Sequence, residues 1–284
     1  MNARQAPVIV VLNLKGGVGK THSCWLLASV AQERGQRTLL VDLDTQANLS
    51  GSFLDEQDDG PTVEMLFHPA SETDVHGLIR RTRFGGIDIL PASARLARFD
   101  VADQREWEAA DLHLSLVEPL EELRCQYDYI VLDCPPRLSL VSFAALCAAD
   151  YVVIPLEAAD WGAQGILKVA EAVRYVRQRF NSRLRLLGYL VSRFKRPRTY
   201  QRVYLDQLRQ HFGANTFDTV LSDMAQFERS VTDRVPVTLH APRSNAAVLA
   251  RRFFDEVITR IEQGTRVSQA SSHAHAGKPR VAAA

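Results

Sequence analysis

The stretch between residues 8 and 35 constrains the fold of this chain more than any other. It consists of the apolar run VIVVLN, the glycine cluster LKGGVGK and the helical segment THSCWLLASVAQERG, which ends at Gly35. A glycine-rich turn between a buried strand and a helix N-terminus directs several backbone N–H groups at one point, where the helix dipole favours negative charge. The stretch therefore predicts a strand, a phosphate-binding loop and a helix, which together begin an α/β domain.

Residues 14–21, called the phosphate loop below, have the residue types that nucleotide binding requires. The glycines let the backbone turn inward around phosphate oxygens, Lys20 would reach the β- and γ-phosphates, and the Thr21 hydroxyl would bind Mg²⁺. The common pattern G-x-x-x-x-G-K-[ST] is not met, because Leu14 occupies its first glycine position. The loop instead fits the variant K-G-G-x-G-K-[ST], which adds a second lysine. The candidate nucleotide-binding residues are Lys15, Gly16, Gly17, Val18, Gly19, Lys20, Thr21 and His22.

Short apolar runs recur along the chain and alternate with helical stretches. Runs of this kind suit strands that are buried on both faces, as in a parallel sheet. The runs lie at residues 8–13, 38–44, 87–92, 129–133, 151–156 and 184–192, and the helical stretches at 20–34, 111–124, 163–180 and 199–212. This alternation predicts an α/β fold whose mostly parallel sheet carries helices on both faces.

The domain organisation follows from where this alternation stops. Residues 50–85 lack a clear period and contain Gly60-Pro61 and Gly85-Gly86, which indicates a looser insertion with one short helix near residues 63–67. The last residues, GTRVSQASSHAHAGKPRVAAA, have no acidic side chain and little apolar content. We therefore predict a single domain at residues 1–263, which contains the phosphate loop, and a disordered tail at residues 264–284.

Three further segments extend the phosphate-loop pattern, and together they resemble the ParA/MinD family of deviant Walker A ATPases. They are VDLDTQANLS at 41–50, YDYIVLDCPP at 127–136 and YVVIPLEAADWGAQGI at 151–166. The resemblance implies a P-loop NTPase of the deviant Walker type that uses ATP and Mg²⁺, forms an ATP-sandwich homodimer, and hydrolyses ATP slowly until a partner stimulates it. It also explains the second lysine, because Lys15 of each copy would cross the interface to the nucleotide of the other.

The same resemblance implies roles for individual residues. Asp44 would orient or deprotonate the attacking water and touch the Mg²⁺ shell, and Asp133 would hold Mg²⁺ through water. His22 stands where the family has a second threonine that contacts the α-phosphate, and a histidine can donate a hydrogen bond there. The implied catalytic residues are Lys15, Lys20 and Asp44, and the implied metal ligands are Thr21, Asp44 and Asp133.

Two branches of the wider family fit the sequence poorly. An iron protein needs cysteines that hold a cluster across the dimer, and neither Cys125 nor Cys134 has that setting. A MinD-type membrane ATPase needs a basic amphipathic C-terminal helix, which the serine- and alanine-rich tail does not supply. No apolar stretch approaches the ~20 residues of a membrane span. We therefore expect a cytoplasmic protein that binds no membrane.

The net charge of +1 conceals two segments of opposite sign. Between residues 174 and 209 there are eleven lysines and arginines and one acid, whereas residues 100–128 carry nine acids and two arginines. The densest basic part, SRFKRPRTYQR at 192–202 (the basic segment), suits salt-dependent contacts with DNA phosphates. The candidate DNA-binding residues are Arg193, Lys195, Arg196, Arg198 and Arg202. Against this interpretation, Asp223 replaces an arginine that partition ATPases typically carry.

Two functions therefore remain open from the sequence. In the first, an ATP-dependent dimer binds nucleoid DNA non-specifically and segregates a plasmid or chromosome region together with a ParB-like activator. In the second, the same ATPase positions a protein complex such as a chemosensory cluster, or regulates a partner, with weak or no DNA binding. Both use one ATPase cycle, and they differ in what the basic segment contacts.

Overall fold

The computed structural model of the chain describes residues 5–54, 60–68, 73–99, 104–158, 163–195 and 198–276. Seven strands form one sheet in the order β3-β4-β2-β5-β1-β6-β7. All neighbouring strands are parallel except β3, which runs antiparallel to β4 at one edge. The strands are β1 (Val8–Val11), β2 (Thr38–Asp42), β3 (Arg80–Arg81), β4 (Ile87–Leu90), β5 (Tyr129–Asp133), β6 (Tyr151–Glu157) and β7 (Arg185–Ser192).

Helices cover both faces of this sheet in the described part of the chain. They are α1 (Lys20–Glu33), α2 (Asn48–Phe53), α3 (Gln104–Ala109), α4 (Val117–Leu123), α5 (Leu140–Ala148), α6 (Ala163–Arg179), α7 (Thr199–Phe212), α8 (Ala225–Thr232), α9 (Val237–His240) and α10 (Asn245–Ala276). Alternate residues of β1 enter opposite cores. Val8 and Val10 pack in the core that includes α4 to α7, and Ile9 and Val11 in the core that includes α1, α2 and α8 to α10.

The strand register brings the functional end of the sheet together. Asp133, the last residue of β5, pairs with Val11 of β1 on one side and with Asp42 of β2 on the other. The carboxyl ends of β1, β2 and β5 therefore lie side by side, with the phosphate loop following β1. Open parallel sheets bind their ligands at this edge.

The predicted fold class is confirmed, since all six apolar runs contain strands and the sheet is mostly parallel with helices on both faces. The helix predicted at 111–124 is wrong in its continuity. Asp111 has a positive φ of 53°, a short 3₁₀ turn follows at Leu112–Leu114, and α4 begins only at Val117. Pro119 explains the break, because it lacks the N–H that a continuous helix needs and is tolerated only in a first turn.

The last helix differs from the predicted disordered tail. α10 has 32 residues and continues through residues 264–276, while residues 277–284 lie outside the described residues. Residues 265–276 contain neither glycine nor proline, so no residue there interrupts a helix that α10 has already started. No helix among the described residues, α10 included, is long and apolar enough to cross a membrane. The boundary of the ATPase domain at residue 263 stays a prediction.

Gly188 is a position in β7 where a side chain is expected to damage the fold. The register between β6 and β7 shifts beside it, and its φ is 153°. A β-carbon there would lie 2.7 Å from the Asn215 carbonyl oxygen and 3.0 Å from the Phe217 ring. We expect Gly188→Ala to lower the free energy of unfolding by about 2–4 kcal/mol, measured by urea denaturation.

Gly264→Ala in α10 is the matched control for this prediction. Its β-carbon would make an ordinary contact of 3.7 Å with Tyr151, so the same change should be neutral or stabilising by up to about 1 kcal/mol. Equal stabilities of the two variants would show that the backbone around Gly188 adjusts without cost.

Candidate functional site

The phosphate loop connects β1 to α1 and takes a backbone shape that depends on glycine. Gly17 and Gly19 have φ values of 74° and 83°, in the left-handed region that residues with a β-carbon rarely adopt. Lys20, the first residue of α1, returns across the loop, and its ammonium donates a hydrogen bond of 3.0 Å to the carbonyl oxygen of Lys15. The loop is therefore closed around the position of its own buried lysine.

A cavity of about 760 Å³ opens on this loop and is called the nucleotide cavity below. Lys20 and Thr21 line it from the phosphate loop and α1, Asp44 from the loop after β2, and Arg193 and Asp223 from the segments after β7. Burial lowers the pKa of Lys20, and the nearby carboxylates of Asp133 and Asp44 counteract that shift. The nucleotide cavity thus collects the predicted loop residues, except Lys15 and Val18, and joins them to residues distant in sequence.

Asp133 is a buried carboxylate of the site. Neither of its oxygens has a hydrogen bond of standard geometry among the described residues, although the Thr21 hydroxyl lies close enough to interact with it. Burial and the neighbouring Asp42 raise its pKa well above the usual range, while the Thr21 hydroxyl and the Lys20 ammonium oppose the shift. A buried carboxylate without a partner is costly, and a hydrated cation removes that cost.

The residues present fit Mg²⁺ in the manner that nucleotide sites use. No cluster of three or more His, Cys, Asp or Glu side chains suited to a metal occurs in the described ranges. Mg²⁺ in such sites is held by one or two protein ligands together with water and substrate phosphates, which requires no such cluster. Thr21, Asp44 and Asp133, the predicted ligands, all border this end of the sheet, and the unsatisfied oxygens of Asp133 are the observation that supports the assignment.

Asp42 and Asp44, although only two residues apart, have different surroundings. Asp42 is fully buried and accepts hydrogen bonds from the backbone N–H and hydroxyl of Ser50, at 2.8 and 2.7 Å. Burial raises the pKa of Asp42 to about 6, although these bonds lower it in part. Asp44 instead lines the nucleotide cavity, and its carboxylate accepts from the N–H of Gln46 at 3.0 Å. Asp42 therefore anchors the loop that presents Asp44, a role that the sequence analysis did not assign.

Lys15 lies apart from the other loop residues. It lines a separate depression of about 210 Å³ rather than the nucleotide cavity, and its ammonium lies 3.4 Å from the Glu157 carboxylate at the end of β6. Both side chains are partly exposed, at 43% and 30%. Asn13 fixes the backbone here, because it accepts from the N–H of Lys15 and donates to the Pro155 carbonyl. Lys20 therefore lies in the nucleotide cavity, and Lys15 lies in a separate depression beside Glu157.

His22 lines the nucleotide cavity on the side of α8. Its ring packs edge-on against Phe227, with 4.7 Å between ring centroids. Burial lowers the pKa of His22 to about 4, and the nearby Asp223 opposes the shift. The imidazole is therefore neutral at pH 7, with one nitrogen able to donate and the other to accept a hydrogen bond.

The described basic residues of the basic segment are all exposed, but Arg193 and Lys195, its inward part, contact residues that line the nucleotide cavity, whereas Arg198 and Arg202 form its outward part. The Arg193 guanidinium donates to the Gly17 carbonyl at 3.1 Å, and Lys195 forms an ion pair of 3.3 Å with Asp223. Arg198 and Arg202 are exposed near the start of α7, and Arg198 donates to the Tyr200 hydroxyl at 2.7 Å. Arg196 lies outside the described residues.

A second cavity of about 670 Å³, called the basic groove below, adjoins the nucleotide cavity. Lys195, Arg198 and Arg252 of α10 line it. Ser222 and Asp223 line both cavities and form their common wall. Asp223 is thus the carboxylate that faces the two sites at once.

Comparison with known proteins agrees with this geometry. The model of a family described as an AAA domain matches residues 6–186. The chain is 32% identical to the chromosome-partitioning ATPase Soj of Thermus thermophilus over 255 residues, which cover 90% of this chain and 96% of that protein.

Solved structures give the same result. The chain resembles a cobyrinic acid a,c-diamide synthase from Mycobacterium smegmatis with bound ADP and magnesium, at 26% identity and a TM-score of 0.76, covering 91% of this chain and 96% of that one. It shares its fold, at 17% identity and a TM-score of 0.75, with McdA from Cyanothece in complex with ATP, covering 91% and 97%.

Proposed function

Because this chain belongs to the ParA/MinD family of deviant Walker A ATPases, we propose that it is an ATP-driven switch whose two copies pair across two ATP molecules and bind DNA. The chain is a ParA-type ATPase, and its relatives include chromosome-partitioning proteins. The proposal concerns what the ATPase acts on. In it, the ATP-loaded dimer binds DNA without sequence preference, and a ParB-like partner stimulates hydrolysis and release.

The nucleotide cavity supplies the ATP-binding half of the proposal. The backbone amides of the phosphate loop and the Lys20 ammonium would hold the β- and γ-phosphates, and Asp44 would orient the attacking water. Thr21 and Asp133 would hold Mg²⁺, Asp133 through water. A Mg²⁺ ion held by these residues would supply positive charge that offsets the negative charge of the phosphates. A relative at 26% identity binds ADP and magnesium, which supports this assignment.

The separation of Lys15 from Lys20 is the observation that best supports the proposed ATP-dependent dimer. Lys20 lies inside the nucleotide cavity, whereas Lys15 lies at the surface beside Glu157 and does not line that cavity. In the proposed dimer, the Lys15 ammonium contacts the nucleotide of the second copy, which faces the phosphate loop. Its charge would stabilise the transferring phosphoryl group of the partner, in the way of an arginine finger supplied in trans.

The outward part of the basic segment supports DNA as the surface that the dimer binds. Arg198, which directly precedes α7, and Arg202 in its first turn are exposed, and Tyr200 and Val203 of α7 are about half exposed. Arg252 adds positive charge in the basic groove. Contacts of this kind read the phosphate backbone rather than base sequence, because they offer charge without a shaped base-reading element.

The decisive experiment measures retention of the full-length protein on random-sequence DNA as a function of salt. We expect retention with ATP and not with ADP. Two outward arginines from each copy give about four phosphate contacts, so raising salt from about 50 to 200 mM should weaken binding about a hundredfold. The variant Arg198→Glu/Arg202→Glu should lose retention and keep ATP hydrolysis.

Arg81→Glu is the matched control, because this exposed arginine lies on β3 at the opposite edge of the sheet from β7. It should leave DNA retention unchanged. Retention that is independent of ATP or of salt, or that survives the double charge reversal, would reject DNA as the bound surface.

One observation favours the alternative, a ParA-type ATPase that positions or regulates a protein partner. Asp223 forms an ion pair with Lys195, so a cation of the basic groove is already neutralised within the chain. In that case ATP-dependent retention on DNA would be absent in the wild-type protein at low salt, while ATP-dependent dimerisation would persist.

A further inference from the structure

Arg193 follows β7 directly and reaches back to the phosphate loop. Its guanidinium donates a 3.1 Å hydrogen bond to the Gly17 carbonyl, and the residue lines the nucleotide cavity. Its backbone has a φ of 51°, which is uncommon for a residue with a β-carbon and persists only where the surroundings support it. The side chain is thus aimed at the loop by an unusual backbone conformation.

The residue before it makes the adjacent contact. The Ser192 hydroxyl donates to the carbonyl of Val18, the residue after Gly17. Two consecutive residues at the end of β7 therefore bind two consecutive carbonyl groups of the phosphate loop. The two strands that hold these elements, β1 and β7, are not neighbours in the sheet, so side chains form this connection without strand pairing.

These two bonds determine where the loop amides point. In a trans peptide the C=O and N–H groups point in opposite directions. Because the Gly17 carbonyl is held toward β7, the N–H of Val18 points away from β7. The Val18 carbonyl is also held toward β7, so the N–H of Gly19 likewise points away from it. Aligned amides of this kind form the anion-binding concavity of a phosphate loop.

We propose that Arg193 is a positioning residue for the nucleotide: it fixes the peptide after Gly17 in its phosphate-binding orientation and adds a positive charge to the wall of the nucleotide cavity. This inference rests on the proposed function, in that it takes the cavity to bind ATP. It removes Arg193 from the set of DNA-binding candidates, to which its place in the basic segment had assigned it.

Arg198 provides a matched comparison within the same segment. It is an exposed arginine five positions further along the chain, its bond is to the Tyr200 hydroxyl, and it lines the basic groove and not the nucleotide cavity. The two arginines share charge and size and differ in which cavity they face. Replacing each in turn by methionine removes the charge and the donors and keeps an unbranched side chain of similar length.

The test uses the full-length variants Arg193→Met, Arg193→Lys and Arg198→Met. Affinities for ATP and ADP are measured by titration without DNA, and DNA retention is measured at saturating ATP. We expect Arg193→Met to weaken both nucleotides about tenfold, since it loses a charge-assisted hydrogen bond, and to raise KM more than it lowers kcat. Arg193→Lys, which keeps the charge and a donor, should recover most of the nucleotide affinity. If Arg193 only filled space, Arg193→Lys and Arg193→Met would bind nucleotide equally well.

The two arginines should give opposite results. Arg198→Met is expected to keep wild-type nucleotide affinity and to lose DNA retention, whereas Arg193→Met regains retention once ATP is saturating. An Arg193→Met protein with wild-type ATP affinity, or one whose DNA retention stays low at saturating ATP, would overturn the proposal. If the wild-type protein bound no DNA while Arg193→Met still weakened ATP, the DNA part of the proposed function would fail and the role of Arg193 would stand.

Discussion

Replacing Lys15 by alanine is expected to slow ATP hydrolysis about a thousandfold while ATP affinity changes by no more than about twofold. The reason is the position of its ammonium, beside Glu157 and outside the nucleotide cavity that holds Lys20. Loss of a group that acts only in the transition state of the partner's nucleotide lowers kcat and leaves binding to its own cavity intact. Single-turnover phosphate release and ATP titration measure the two quantities.

A mixing experiment separates action in trans from action within one copy. Asp44→Ala should bind ATP and dimerise without turnover, but it keeps Lys15. In an equal mixture of Lys15→Ala and Asp44→Ala chains, random pairing makes half of the dimers mixed, and each mixed dimer has one complete site, which predicts about a quarter of wild-type activity.

Lys168→Ala, which removes an exposed lysine from α6, is the control and should hydrolyse ATP at the wild-type rate. The trans role is wrong if the Lys15→Ala chain alone hydrolyses ATP normally, or if the mixture stays as inactive as its components.

Replacing Lys20 by alanine is expected to abolish nucleotide binding, with ATP and ADP affinities both reduced more than about a hundredfold. The Lys20 ammonium closes the loop by its 3.0 Å bond to the Lys15 carbonyl and faces the carboxylates of Asp44 and Asp133. Without it, a triphosphate would enter a cavity whose remaining nearby charges are largely negative.

Thermal unfolding with and without ATP gives an independent measurement. At an ATP concentration about 100 times the dissociation constant, binding stabilises the wild-type fold by about 2.7 kcal/mol, and Lys20→Ala should show no such shift. Lys195→Ala, which removes a lysine of the basic groove, should shift as the wild type does. A shift in Lys20→Ala equal to that of the wild type would mean that the backbone amides alone hold the phosphates.

The sequence predicted the features that depend on local order. Apolar runs of five to nine residues located all six parallel strands, and the contiguous phosphate-loop motif located the nucleotide cavity, because both patterns are complete within a short stretch. β3 was missed because two residues are too few to show a period. α5 was missed because LVSFAALCA is apolar except for one serine and has no polar face.

The contacts that complete the site were not predictable in this way. Lys15 and Glu157 are 142 positions apart, and Gly17 and Arg193 are 176 apart. Each pair meets only because β6 and β7 follow β1 in the sheet order, which no local pattern encodes. For the same reason, the sequence grouped Arg193 with its neighbours in the basic segment, although the positive φ at this residue turns its side chain to the phosphate loop.

The wall that Ser222 and Asp223 share between the nucleotide cavity and the basic groove has a thermodynamic consequence. If movement of this wall links the two cavities, the linkage has one free energy, and it acts equally in both directions. If ATP raises the affinity of the basic groove for its ligand by some factor, that ligand raises the affinity of the nucleotide cavity for ATP by the same factor. Binding of the protein to its surface through the basic groove would then help to keep ATP in the nucleotide cavity.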